Sequence, residues 1–374
     1  VIANGIDMAY VRFASEEYSR KGKMPNDIFI FSILLCLFFY LILAPIILLF
    51  RTALSELMFR DRLFSSPLLL GFFFSFPPIL TIFVTRYYQV QERYKRAGAL
   101  FSLDKFVFLF FLLCFIFISQ SFSFMKVAVV QVVLSCVFGI FLISYIFRRD
   151  MSFTKFDLQA KRFFYYIGTS FWLILYFVCL AIFGQLGVFM ISRMMTMGDL
   201  ANYGVAFRYY GLLMLFFPAI KTVLKVYTAK IDFVDSFEKQ KQFLGRWIKL
   251  AALCAIPLAL MIFLFSGYFM NLINGAQYSW AILPFKILAI SALLSYIFSP
   301  NTDLFRTMNK HFLMFCFGFL ALIINFLGNY ILIPKYGISG VAFSNLISFF
   351  IVNGLATTYI FSKKTYAAEE IRKI

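Results

Sequence analysis

Long apolar runs of membrane-helix length recur along the whole 374-residue chain and constrain its fold more than any other feature. A helix that crosses a hydrocarbon core of about 30 Å needs about 20 residues at about 1.5 Å each. Ten complete runs are predicted to span a membrane: 27–50, 66–88, 101–122, 126–147, 164–190, 200–226, 247–272, 281–302, 312–334 and 337–361. Because 62% of the residues are apolar and only 14% are charged, we predict an all-α polytopic membrane protein.

A partial helix precedes the complete spans, since residues 1–13 (VIANGIDMAYVRF) read as the last part of one. We expect about one and a half helices to be missing before it, each of about 20 residues. The basic stretch 148–162 (RRDMSFTKFDLQAKR) separates a shorter first set of spans from a second set of six. The predicted organisation is a truncated N-terminal bundle (1–147), a cytoplasmic linker (148–162) and a C-terminal six-helix bundle (163–374).

The net charge of +18 would suggest a nucleic-acid partner in a soluble protein. Here the basic loops alternate with nearly uncharged ones, as the positive-inside rule describes. The basic loops precede the first span and follow the second, fourth and sixth, so these loops are predicted to be cytoplasmic. The basic tail (Lys363, Lys364, Arg372 and Lys373) places the C-terminus on the same side. We therefore expect a multi-pass protein of the bacterial cytoplasmic membrane, in contact with membrane lipids and with no nucleic-acid partner.

The residue types that enzymes need are scarce. The chain has one histidine, His311, and no HExxH, GxSxG, paired DxD or glycine-rich phosphate loop. Its six cysteines lie singly in apolar runs, without the spacing of a redox pair or a metal site. The sequence therefore predicts a transporter rather than an enzyme, without a cofactor. It leaves open whether an H⁺ or Na⁺ gradient drives transport.

Two of the few cations within predicted spans are candidates for a functional site, because a charge there is costly unless it faces water or a partner. Arg208 is about nine residues into the span 200–226, or about 13 Å along the helix from its outer end. We predict that it lines a water-filled cavity; the alternative is a bond to the carbonyls of a neighbouring helix. Lys286 lies near the outer end of 281–302, where it either faces the same cavity or extends to the membrane interface.

Three further side chains are candidates for the cavity. Arg193 lies at the outer end of its helix and is otherwise a loop charge. Gln185 and Asn325 could contact sugar hydroxyls or hydrogen-bond to neighbouring helices. No carboxylate lies in the middle of a complete span, whereas exporters of cations generally need one there. Cations without carboxylates favour an anionic substrate such as a phosphate-bearing lipid head group.

Three segments of the second half carry a recognisable pattern: Arg193 to Ala206 (RMMTMGDLANYGVA), Asn271 to Ala281 (NLINGAQYSWA) and Gly328 to Ser348 (GNYILIPKYGISGVAFSNLIS). They resemble the Wzx-type polysaccharide flippases, which share a superfamily with multidrug and toxin extrusion (MATE) exporters and MurJ-type lipid II flippases. The first half matches mainly by helix order and by Ala9 to Lys23. Many family members carry an Asp-Arg pair near the outer end of the seventh helix, where this chain has Gly187 and Val188.

The resemblance implies two pseudo-symmetric six-helix bundles around one cationic cavity. It also implies a flippase that moves undecaprenyl-pyrophosphate-linked oligosaccharide repeat units to the outer leaflet by alternating access, for the synthesis of O-antigen, capsule or exopolysaccharide. Arg208 and Lys286 would meet the anionic part of the substrate, and other membrane proteins of polysaccharide assembly would be partners.

Two other functions remain open. A MATE-type multidrug or cation antiporter predicts a buried carboxylate for its cation. A membrane polysaccharide polymerase or glycosyltransferase predicts a large polar loop on the outer side.

Overall fold

Helices occupy the apolar runs in the computed structural model, which describes residues 2–22, 24–59, 62–118, 124–149, 160–218, 220–221, 224 and 237–362. Thirteen α-helices and no strands lie in this part of the chain, so the predicted all-α fold is confirmed. The helices are α1 (Ile2–Lys21), α2 (Asn26–Phe59), α3 (Ser65–Phe74), α4 (Phe76–Val90), α5 (Tyr94–Ile118), α6 (Phe124–Arg149), α7 (Ala160–Met194), α8 (Met197–Leu213), α9 (Phe237–Asn274), α10 (Ile282–Ile297), α11 (Pro300–Thr307), α12 (His311–Tyr336) and α13 (Ile338–Ser362).

Eight stretches of the described residues are long and apolar enough to cross a membrane. They are Asn26–Leu57, Ser65–Val90, Val129–Ile146, Tyr166–Met194, Lys241–Asn274, Ala276–Ile297, His311–Tyr336 and Ile338–Ser362. Each coincides with a predicted span. The other two predicted spans, 101–122 and 200–226, continue into residues outside the described ones.

The chain divides into two compact units, Val1–Phe177 and Val178–Ile374. The division falls inside α7, whose first half packs with unit 1 and whose second half packs with unit 2. Most of the predicted linker 148–162 lies outside the described residues, so its role as a boundary stays a prediction.

Unit 1 is built on a core of fully buried aromatic rings. Tyr10 of α1 packs against Phe29 of α2 at 5.5 Å and against Phe83 of α4 at 6.1 Å, and Phe29 packs against Tyr87 at 5.1 Å. In these edge-to-face contacts, the positive edge of one ring meets the negative face of the other, which stabilises the pair. They hold α1, α2 and α4 together.

The first half of α7 completes unit 1 through polar groups. The hydroxyl of Tyr166 lies 2.6 Å from the hydroxyl of Ser32 and donates to the carbonyl of Ile6 at 3.3 Å. A side chain at Gly5 would clash with the backbone of Ile174, so α1 and α7 approach more closely than larger residues allow. Small residues at such crossings are typical of membrane helices.

The core of unit 2 joins the second half of α7 to α8, α10 and α13. Ile191, Ala206, Leu288 and Ala342, one from each helix, are 0% exposed. A side chain at Gly187 would clash with Val341, which explains why this position of α7 is a glycine. Because α7 and α8 bury these residues in the core of unit 2, their opposite faces lie outside this core.

The break between α10 and α11 has its polar groups satisfied. Pro300 has no N–H and cannot bond to the carbonyl of Tyr296, four residues earlier. The Trp247 indole donates to that carbonyl instead at 3.1 Å, and the Ser299 hydroxyl donates to it at 2.8 Å. The Tyr296 hydroxyl in turn donates to the carbonyl of Leu213 at 2.6 Å, where α8 tightens into a 3-10 turn. Because lipid supplies no hydrogen bonds, side chains must make these bonds within the protein.

Candidate functional site

Arg208 lies on the exposed face of α8. Tyr203 and Ala206 are buried in the core of unit 2, whereas Arg208 and Leu212 are exposed. Side chains added at Gly204 and Gly211, about one turn before and after Arg208, would meet no atom within 4 Å. The backbone of α8 therefore has open space beside it on both sides of Arg208, which leaves room for a large ligand.

Gln185 and Arg193 share one face of α7. They are separated by two helical turns, with Phe189 between them, and residues four apart on a helix lie above one another. The Arg193 guanidinium lies 5.6 Å from the centre of the Phe189 ring, within the range of a cation–π contact. Gln185 is exposed and Arg193 is partly buried. This face points away from Gly187 and Ile191, which are in the core.

Lys286 is partly buried on α10, and its ammonium lies 5.5 Å from the centre of the Phe263 ring on α9. The neighbouring Phe285 packs instead against Tyr209 of α8, with ring centres 5.5 Å apart. Successive residues on a helix are separated by about 100°, so Lys286 is directed toward α9 while Phe285 is directed toward α8.

Asn325 is 2% exposed and lies between α12 and α13. Its side-chain oxygen accepts a hydrogen bond from Asn329 at 3.0 Å, and its carbonyl accepts one from the Ser344 hydroxyl at 2.9 Å. These contacts place Asn325 in the helix–helix interface, whereas Arg208 and Gln185 lie on the surface of unit 2.

Unit 2 also contains a buried ion pair. The Lys221 ammonium donates to the Asp303 carboxylate and to the carbonyl of Ser299, both at 2.7 Å. Arg306, one turn further along α11, lies 3.5 Å from the other oxygen of Asp303. Asp303 is 1% exposed, so its charge depends on these two cations.

Unit 1 contains a second buried ion pair, between α1 and α4. The Arg86 side chain donates through Nε to both carboxylate oxygens of Asp7 at 3.0 Å and through Nη1 to Gln89 at 2.7 Å. Asp7 is only 4% exposed. The carboxylate is therefore matched by a cation inside the apolar unit.

The sequence does not pair these residues. Lys221 and Arg86 lie near the predicted inner ends of the spans 200–226 and 66–88, where the positive-inside rule explains a cation without any partner. A carboxylate at a comparable distance from the same membrane face, Asp303 or Asp7, is the signal that could have paired them. Among the described residues, no group of three His, Cys, Asp or Glu side chains could hold a metal ion.

Comparison with known proteins identifies one curated relative with the predicted kind of function. No model of a protein family matches the chain. Over 179 residues, or 47% of the chain, it is 25% identical to a protein of Salmonella typhimurium whose name describes it as an O-antigen transporter. The match covers 42% of that protein, so the chain spans about two fifths of its relative's length. The predicted resemblance to polysaccharide flippases is confirmed by this similarity.

Solved structures agree on the fold. The whole chain superimposes on a crystal structure of MATE in the bent conformation with a TM-score of 0.76, 14% identity and 85% of that chain covered. It also superimposes on the lipid II flippase MurJ in an inward closed conformation, with a TM-score of 0.63, 16% identity, 96% of this chain and 78% of that chain covered. The proteins that it resembles are transporters and flippases rather than enzymes. The fold of this chain is that of the MATE and MurJ structures.

Proposed function

We propose that the protein is a flippase for undecaprenyl-pyrophosphate-linked oligosaccharide repeat units, working by alternating access. The observation that carries this proposal is Arg208, a cation on the exposed face of α8 between two glycines with open space around them. The similarity to an O-antigen transporter supports the same class of substrate.

The chemistry of the cation fits a pyrophosphate. A guanidinium presents a planar set of donors that can bond two phosphate oxygens at once, and these charge-assisted bonds are stronger than neutral ones. The glycines at 204 and 211 leave room for a bulky head group beside Arg208. Arg193 and Lys286 would supply further positive charge, and Gln185 would meet sugar hydroxyls.

The buried carboxylates do not favour a cationic substrate. Asp7 and Asp303 are the buried acidic residues in the described part of the chain, and each already has a cation within 3.0 Å. A drug cation would have to displace Arg86 or Lys221 to use them.

We place the protein in the bacterial cytoplasmic membrane with its C-terminus in the cytoplasm, by the distribution of basic loops. Residues 363–374, which carry the basic tail, lie outside the described residues. Membrane proteins that polymerise the delivered repeat units would be its partners. An H⁺ or Na⁺ gradient is the candidate for the driving force of transport.

The test is transport in proteoliposomes. The protein is compared with Arg208→Ala, Arg208→Lys and the control Arg246→Ala, which removes an exposed cation of α9 outside the candidate set. Outward movement of a labelled undecaprenyl-pyrophosphate oligosaccharide and of a cationic dye are measured side by side. We expect the lipid to move, with a rate that falls about tenfold or more for Arg208→Ala, partly recovers for Arg208→Lys and is unchanged for Arg246→Ala.

Two other outcomes would each reject a different part of the proposal. Movement of the dye without the lipid would identify a multidrug exporter. Movement of the lipid at the same rate in all four proteins would leave the flippase function in place and reject Arg208 as its site.

A further inference from the structure

The two buried ion pairs occupy equivalent positions in the two units. In unit 1, Asp7 on α1 pairs with Arg86 on α4, and α2 lies between these helices along the chain. In unit 2, Lys221 lies in the helical residues after α8 and pairs with Asp303 on α11, with α9 between them. In each unit, the chain makes two predicted membrane crossings between the first member of the pair and the end of the helix that carries the second member. Each pair therefore joins equivalent helices of its unit.

The turn that follows each pair establishes the equivalence. Glu92 and Asn309 have positive φ angles of 59° and 58°, and each lies six residues after its ion-pair residue, Arg86 or Asp303. Four backbone hydrogen bonds repeat with every residue number raised by 217: 91→87, 92→89, 93→88 and 97→93 in unit 1, and 308→304, 309→306, 310→305 and 314→310 in unit 2. Both helices thus end in the same Schellman turn.

The side chain one turn after each pair repeats as well. Gln89 accepts a hydrogen bond from Arg86, and Arg306 lies within 3.5 Å of Asp303. In both units this third residue supports the member of the pair on its own helix. We call Asp7, Arg86 and Gln89 the constellation of unit 1, and Lys221, Asp303 and Arg306 the constellation of unit 2. The two constellations occupy equivalent positions, but the charges at these positions differ.

The polarity of the two pairs is reversed. The acid is on the earlier helix in unit 1 and on the later helix in unit 2. Suppose that the earlier helices exchanged places between the units, as equivalent elements of a repeated fold can. Asp7 would then face Asp303, and Lys221 would face Arg86. Both contacts would bury like charges, which discriminates strongly against the wrong arrangement.

We propose that the reversed polarity specifies which helix packs into which unit while the protein folds. Two pairs of the same polarity would fasten correct and exchanged arrangements equally well. Reversed pairs permit only the correct one, in the manner of a repulsive element that acts against a competing structure. The proposal is independent of the transported substrate.

The experiment transplants each constellation into the other unit. The first variant, Asp7→Lys with Arg86→Asp and Gln89→Arg, gives both units the polarity of unit 2. The second, Lys221→Asp with Asp303→Arg and Arg306→Gln, gives both the polarity of unit 1. The third combines all six substitutions and restores opposite polarity. Reversal of the exposed pair, Glu56→Arg with Arg62→Glu, is the control.

The readout is the fraction of detergent-solubilised protein that elutes as a monodisperse monomer, together with its melting temperature. We expect each single transplant to lower the monodisperse fraction about fivefold or more, and the combined variant and the control to stay within about twofold of the original protein. Recovery is the informative result, because pairs that act only locally would make the losses multiply in the combined variant. Single transplants that behave like the original protein, or a combined variant that does not recover, would overturn the proposal.

Discussion

The Nε atom of Arg86 lies 3.0 Å from both carboxylate oxygens of Asp7, in a unit whose core contains a cluster of aromatic rings. We expect Asp7→Asn to lower the free energy of unfolding by about 3 kcal/mol, because it leaves a largely buried guanidinium without its counter-charge. The melting temperature in detergent measures the change, and size-exclusion elution is then recorded for the same samples.

Glu56→Gln is the matched control for that substitution. It breaks an ion pair with Arg62 whose side chains are 56% and 76% exposed, so the expected change is below about 1 kcal/mol. Equal losses for Asp7→Asn and Glu56→Gln would contradict a special role for burial.

Tyr296→Phe removes the hydroxyl that bonds to the carbonyl of Leu213. The carbonyl is then left without this donor where α8 tightens, so we expect a loss of about 1 to 2 kcal/mol in the free energy of unfolding. Tyr330→Phe changes a side chain that is 64% exposed and should leave the melting temperature unchanged. The idea fails if both substitutions have the same effect.

Gly328→Ala places a methyl group against the Ser344 side chain, where α12 and α13 meet. We expect the two helices to shift apart and the free energy of unfolding to fall by about 1 to 3 kcal/mol. Gly354→Ala on α13 adds the same methyl group where no atom lies within 4 Å, and a change of less than about 1 kcal/mol is expected. Melting curves of the two variants decide whether close helix contact is responsible.

Arg208→Cys tests whether the exposed face of α8 meets water. In a background without the six native cysteines, we expect the introduced thiol to react with a membrane-impermeant charged methanethiosulfonate reagent, since the reaction requires water and thiolate. Leu253→Cys replaces a side chain that is 69% exposed on the spanning helix α9 and should stay unreactive in lipid. Protection of the thiol introduced on α8 would place this face of the helix against lipid instead.

The apolar runs predicted the helices well because a membrane span needs a minimum length of unbroken hydrophobicity. The observed α2, α12 and α13 differ from their predicted spans mainly at the ends, where polar residues continue a helix beyond the hydrocarbon core. The interruptions were harder to locate. Pro300 separates α10 from α11 inside a run that reads as one span, and the break holds because Trp247 and Ser299 satisfy the freed carbonyl.

The candidate site, like the fold, was predictable from the sequence only in part. That Arg208 is exposed and Asn325 is buried depends on which helix faces pack together, and an apolar run without amphipathic periodicity does not indicate this. The pairing of Lys221 with Asp303 spans 82 residues, so no local pattern contains it. The repeat between the turns at Glu92 and Asn309 is visible in the backbone geometry, whereas the equivalent ion-pair residues Arg86 and Asp303 have opposite charges.

The contact between α12 and α13 bears on how the protein enters the membrane. Ser344 donates to the carbonyl of Asn325, Ser348 donates to the carbonyl of Ser344, and Asn329 donates to the side-chain oxygen of Asn325. The turn between the helices is a single residue, Gly337, with a φ of 58° that favours glycine. A ribosome delivering these residues to the translocon therefore supplies a hairpin in which the hydrogen bond between Ser344 and Asn325 can form before any other helix reaches it.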